Sequence, residues 1–237
     1  MKRNRSKDEH TPHRFGILLF LFLGLMLCAP LFEGSMLAGY IGDTFYYLLL
    51  AAAAFSIRES RLFRLAVIFG AGAVVSEGIS YFVARTSVLI VSNFIACAFL
   101  GIVALQIGAT VYEQREIRRD TVMGGLCVYV LMGIFWMLLF VNLEFLRPGS
   151  FNFGVHGPNL NLDLRYTLLM YYSFVTLLTI GYGDVVPMSG MAQSLTILEG
   201  LIGQFYLVFF MASLVGLYIY RRESGRPSGE GNRFHEG

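Results

Sequence analysis

Six consecutive residues, Thr179-Ile180-Gly181-Tyr182-Gly183-Asp184, are the part of this sequence whose types and spacing could do chemistry, and the chemistry is that of holding a cation stripped of its water. Such an ion needs oxygens in place of its hydration shell, and a main chain supplies them only if successive carbonyls turn toward one axis. Gly181 and Gly183 lack a Cβ and permit the dihedrals this requires. Thr179 offers both a carbonyl and a hydroxyl. Tyr182 brings a ring that could pack outward against neighbouring aromatics and a hydroxyl that could bond across; Tyr171 and Tyr172, earlier in the same segment, are the candidates for that cuff. Asp184 and Pro187 then add a charge and a chain-turning residue at the outer mouth. One such segment cannot surround an ion, so four copies around a fourfold axis, a homotetramer, are implied.

The elements that must position this segment are membrane helices. Of the 237 residues 56% are hydrophobic and 14% charged, with a mean hydropathy of +0.62, well outside the range of soluble domains. A spanning helix takes about 20 mostly apolar residues, and runs of that kind cover Phe15 to Phe32, Met36 to Ile57, Leu62 to Val83, Ser87 to Tyr112, Val122 to Leu146 and Met191 to Tyr220. A shorter apolar run, Tyr166 to Leu178, leads into the Thr179–Asp184 segment. The expected fold is therefore an all-α membrane protein of six transmembrane helices, with a half-length re-entrant pore helix from about Leu164 to Leu178 and the ion-binding segment between helices five and six. Non-helical backbone is tolerated at that depth where it is buried in protein or lines water. Asp163 or Asn161 could cap the pore helix. Unpaired carbonyls at its other end would turn negative charge toward a water-filled cavity.

Basic residues cluster at Lys2, Arg3, Arg5, Lys7 and Arg14, at Arg58, Arg61 and Arg64, at Arg115, Arg118 and Arg119, and at Arg221, Arg222 and Arg226. Six crossings put all four clusters on one side, so the reading is a multi-pass cell-membrane protein with both termini cytoplasmic. The opposite side holds Glu33, Asp43, Arg85 and the Arg147 to Asp163 stretch. A basic stretch before an apolar core also suits a cleavable signal peptide, but the first run is long for one and lacks a small-residue cleavage site, so it is read as a helix. The parts are residues 1–14, a cytoplasmic segment; 15–120, a four-helix region; 121–220, a pore domain of outer helix, pore helix, filter and inner helix; and 221–237, a Gly-, Ser- and charge-rich tail expected to be disordered.

Thr179 to Asp184, in its place between two membrane helices, resembles the potassium-channel pore signature. From average residue usage, Thr, Gly, Tyr, Gly and Asp at these positions have a chance on the order of 10⁻⁴, so coincidence is a poor account of it. The resemblance covers about Thr121 to Tyr220. It implies a selectivity filter at Thr179, Ile180, Gly181, Tyr182 and Gly183, an outer mouth at Asp184, filter support from Tyr171, Tyr172, Thr176 and Glu199, and permeant potassium ions with no other cofactor. Gly203 stands twenty residues after Gly183, where the family's inner helix commonly bends; it could equally be a helix packing contact. Continuing without gaps puts Gln204, Leu207 and Met211 on the cavity wall.

The sequence departs from the family in two places. Leu178 precedes the filter where many relatives carry a second Thr, making the inner entrance more apolar, and Val175 stands where some relatives have a Glu that bonds behind the filter. Glu199 lies within the last helix and should be paired, protonated or facing water, either as a buried hydrogen bond to the pore helix or as a pH-sensitive support. The fourth run has no basic residue between Ser87 and Tyr112. Gating charges are worth about 2.3 kcal/mol each per 100 mV, so without them strong voltage dependence is not expected. Arg58, Arg61 and Arg64, beside Glu59 and Ser60, read as a solvated link. Glu77 and Asn93 are expected to pair within the bundle.

The function expected is passive potassium conduction, the partners being three copies of the same chain and the lipid bilayer, with no nucleic acid and no small-molecule substrate. A weakly selective cation channel would show a broken Gly-Tyr-Gly run, and an uptake transporter subunit paired repeats, where here there is a single pore segment. Cys28, Cys97 and Cys127 lie in apolar runs without Cys or His at ligand spacing. His10, His13, His156 and His235 sit in terminal or loop segments, and no catalytic set stands at matched depth, so an enzyme is not expected.

Overall fold

A computed structural model describes residues 14–28, 51, 62–82, 86–113, 119–158 and 160–224. Apolar segments in lipid must satisfy their own backbone groups, which favours helices, and the described residues form six: α1 Arg14–Cys28, α2 Phe63–Phe82, α3 Thr86–Glu113, α4 Arg119–Leu146, α5 Leu162–Leu177 and α6 Gly190–Ser224. Three contain stretches long and apolar enough to cross a bilayer: Thr86–Thr110, Val122–Leu146 and Gly190–Phe210. In α2 the comparable stretch, Phe63–Ser76, is shorter, and α1 has 15 residues. The protein is thus a mostly helical membrane protein; the expected crossing at 36–57 lies, apart from residue 51, outside the described residues, as do 1–13 and the tail from 225.

Helix α4 is the hub, packed against α1, α3, α5 and α6, while α2 leans on α3. Its buried faces carry Leu131, Phe140 and Val141, all inaccessible, as an apolar helix surrounded by protein requires. Two glycines bring its neighbours close. A Cβ on Gly133 would stand 2.7 Å from the ring of Phe174 on α5, and one on Gly125 would overlap the ring of Phe210 on α6.

A buried polar seam crosses this apolar packing. Ser76 of α2 donates to Ser92 of α3 at 2.9 Å. At the next residue of α3, Asn93 Nδ2 donates to Asn142 Oδ1 of α4 at 3.0 Å, and the Tyr166 hydroxyl of α5 donates to Asn93 Oδ1 at 2.9 Å. Asn93 was expected to pair with Glu77, whose side chain lies outside the described residues; its partners here are Asn142 and Tyr166.

Two differences from the sequence reading bear on the site. Helix α5 begins at Leu162, ahead of the expected Leu164. The fold is also not purely helical: β1 Phe151–Asn152 pairs antiparallel with β2 Val186–Pro187, in register Phe151↔Pro187 and Asn152↔Val186. This short ladder ties the α4–α5 connection to the chain that follows Asp184.

Candidate functional site

Helix α5 is closed at both ends by its own chain. At its start Asn161 is the cap, its Oδ1 accepting from Leu164 N at 2.8 Å, while Asp163 occupies the first turn, where negative charge suits the helix dipole. At its end, Leu178 N donates to Phe174 O at 2.9 Å, Ile180 N to Val175 O at 2.9 Å and Thr179 N to Thr176 O at 3.0 Å. The Tyr129 hydroxyl, from α4, donates to Leu177 O at 2.7 Å. All four terminal carbonyls therefore have donors, which corrects the expectation that they stand unpaired; the helix dipole remains, but those orphan acceptors are spent on fixing the turn into Thr179.

From that turn the backbone takes positive φ at alternate residues: 57° at Thr179, 61° at Gly181 and 78° at Gly183. Thr179 is the non-glycine residue with positive φ among the described residues, a conformation that costs of order 1–3 kcal/mol and persists where its surroundings impose it. In an ordinary extended strand successive residues face opposite sides. Alternating the sign of φ cancels that alternation and turns successive carbonyls the same way. In the single chain Thr179 to Asp184 are exposed, Tyr182 to 70%.

The outer end of the segment is strapped down. The Tyr171 hydroxyl beside it holds the pKa of the Asp184 carboxylate below the ordinary value, and Asp184 Oδ1 accepts from Val185 N at 3.1 Å. Met188 N donates to Ser150 O at 2.7 Å beside the β1–β2 ladder. Gly154, at φ 56°, passes so near that a Cβ there would lie 2.7 Å from the Asp184 carbonyl oxygen. The buried Glu144 carboxylate shapes this connection, accepting from Gly149 N at 2.9 Å and Phe151 N at 3.1 Å.

Behind the segment, Tyr172 faces inward. Its ring stands edge-on to Phe140 and Phe151, with centroids 5.4 Å from each, and its hydroxyl shares a 2.7 Å hydrogen bond with Thr196 of α6. Thr176 Oγ1 donates to Tyr172 O at 2.9 Å. Glu199, fully buried, lies 2.5 Å from the Ser173 hydroxyl, so α6 is hydrogen-bonded to α5 there. Gly203 is buried against the same helix, where a Cβ would stand 2.6 Å from Leu177 Cδ2; its packing role is present here. Gln204 is exposed and Leu207 half-buried; Met211 belongs to α6, but its side chain lies outside the described residues.

The site thus brings Tyr171 to Asp184, and Tyr172, Thr176, Glu199 and Gly203 to the back of α5. Sequence reasoning passed over Tyr129, Ser173 and Glu144. The first two act on backbone carbonyls of other helices, which leave no trace in residue spacing. Glu144, a carboxylate near the end of an apolar run and followed by Arg-Pro-Gly-Ser, did carry a signal.

Apolar helices packed around a short capped helix and an irregular segment with positive φ at alternate residues define a mostly helical membrane protein as the class. Residues 158–219 match the family model described as Ion channel, so the chain carries an ion-channel domain there. The match takes in α5, the Thr179–Asp184 segment and most of α6, agrees with the potassium-channel pore resemblance, and leaves α1 to α4 outside it. No curated protein and no solved structure gives a significant match to this chain.

Proposed function

We propose that this protein is a potassium-selective channel that conducts K⁺ passively as a homotetramer in the cell membrane, with both termini cytoplasmic and Thr179 to Gly183 as its selectivity filter. The observation that carries the reading is the alternation of positive φ at Thr179, Gly181 and Gly183. It aligns the carbonyls of one chain as a row of oxygen ligands, and four rows around an axis replace the hydration shell of K⁺. Residues 121–220 act as the pore domain and 15–120 as an accessory region that supplies no gating charge. Asp184, held by Tyr171, forms the outer mouth. Gly203, Gln204, Leu207 and Met211 belong to the inner helix, Gly203 serving as its bend and the other three facing the cavity.

The face that α6 leaves uncovered supports the assembly. Ile197 is 64% exposed and Phe209 68%, with Leu201, Phe205 and Val208 also open, an apolar stripe that a neighbouring inner helix and lipid would cover. The test is cation flux into liposomes holding the purified protein. Potassium uptake that barium blocks, and that Gly181→Asp or Tyr182→Ala abolishes, is the expected result. Uptake that survives either substitution would sink the filter assignment.

A further inference from the structure

The contacts around Ser173 do not balance unless Glu199 carries a proton. The Ser173 oxygen lies 2.8 Å from the carbonyl of Gly133 on α4 and 2.5 Å from Glu199 Oε1 on α6, both within the usual range of an O–H···O bond. A serine hydroxyl has one hydrogen to donate, a carbonyl has none, and an ionised carboxylate has none. With Glu199 charged, two acceptor oxygens would compete for the single Ser173 proton, and one of the two short contacts would be oxygen against oxygen. With a proton on Oε1 both become hydrogen bonds in one chain, running from Glu199 to Ser173 to Gly133 O.

The surroundings agree with that count. Glu199 has no exposed surface even in the single chain, so neither water nor a neighbouring copy reaches it. Its other oxygen, Oε2, is buried without a hydrogen-bond partner among the described residues. An unpaired oxygen of a neutral acid costs far less in such a place than half of a carboxylate charge. The titratable groups that face it are Tyr129 on α4 and Tyr172 on α5. Both are neutral phenols with their hydroxyls engaged elsewhere, Tyr129 on Leu177 O and Tyr172 with Thr196 Oγ1. No Lys, Arg or His among the described residues offsets a charge at Glu199.

We propose that Glu199 is a proton-binding site: its carboxylic acid donates to Ser173, and this bound proton joins the inner helix to the pore helix and outer helix behind the Thr179–Asp184 segment. Glu199 is then a positioning residue. It touches no permeant ion and acts through Ser173, which sits six residues before Thr179. The protonation rests on this packing alone; its bearing on conduction rests on the channel reading.

Infrared difference spectroscopy of the protein in lipid vesicles, wild type against Glu199→Gln, tests it directly. The expected result is a carboxylic-acid C=O band at neutral pH in wild type that the Gln protein lacks, and a shift of that band to higher frequency in Ser173→Ala, where the acid loses its acceptor. A difference confined to the carboxylate bands, or an acid band that Ser173→Ala leaves in place, would overturn the proposal. The side-chain amide of Gln can donate to Ser173 in place of the acid, so the thermal midpoint of Glu199→Gln should stay near that of wild type while Glu199→Ala falls. Equal losses in the two variants would count against a donor at this position. Neither readout requires ion flow, so a failed flux assay would remove the channel reading and leave this one standing.

Discussion

Gly181 and Gly183 have nothing within 4 Å of the place where a Cβ would go, yet both hold positive φ. A substitution there is opposed by the backbone alone, by about 1–2 kcal/mol per L-residue. Gly181→Ala should therefore leave the chain folded and cut potassium flux at least tenfold; a fold monitored by circular dichroism that stays intact beside unchanged flux would contradict this. Asp184 makes a second prediction at the same scale. Its pKa is depressed by the Tyr171 hydroxyl, so the strap they form is present above the ordinary carboxylate value of 3.8 and is lost as pH falls through the lower folded-state value. Tyr171→Phe should move the midpoint of inhibition by external acid upward, as read from flux against outside pH, and an unmoved midpoint would show that the hydroxyl does not hold Asp184. The motif itself was legible because its conformation excludes most residue types. The acceptors of Tyr129 and Ser173 were not, since a backbone carbonyl belongs to every residue and marks none.

The helices were legible as apolar runs bounded by charge, and α4 appears where Val122 to Leu146 predicts it. The β1–β2 ladder was not, because strands of two residues have no period to read. Nor could spacing tell that Asn93, in an otherwise apolar helix, reaches across to both Asn142 and Tyr166. That seam joins α3 to α4 and α5. Asn93→Leu would strip the donor from Asn142 Oδ1, a loss of about 1–3 kcal/mol for a buried group that loses its hydrogen bond. The double variant Asn93→Leu with Asn142→Leu should cost less than the sum of the single ones, because it removes both members of a bond. A denaturation cycle in detergent measures the coupling, and additive costs would deny the pairing.

At the scale of the whole molecule, α4 backs both α5 and α6, and among the described residues α1 to α3 carry no regular row of basic residues. Each charge moved through the field would contribute about 2.3 kcal/mol per 100 mV. With none between Ser87 and Tyr112, open probability in planar bilayers should change little between −100 and +100 mV, about the range over which a charged sensor responds. A steep rise would require charge movement elsewhere. On the channel reading proposed above, the filter would be complete only in an assembly, since one row of carbonyls leaves most of an ion uncovered.

The most direct test of potassium selectivity is the reversal potential of the purified channel in a planar bilayer with K⁺ on one side and Na⁺ on the other. Aligned carbonyls from Thr179 to Gly183 predict a potential displaced strongly toward that of potassium, and displaced less in Tyr182→Ala. A reversal near zero in the wild-type protein would mean that both cations pass alike and that Thr179 to Gly183 do not form a selective filter.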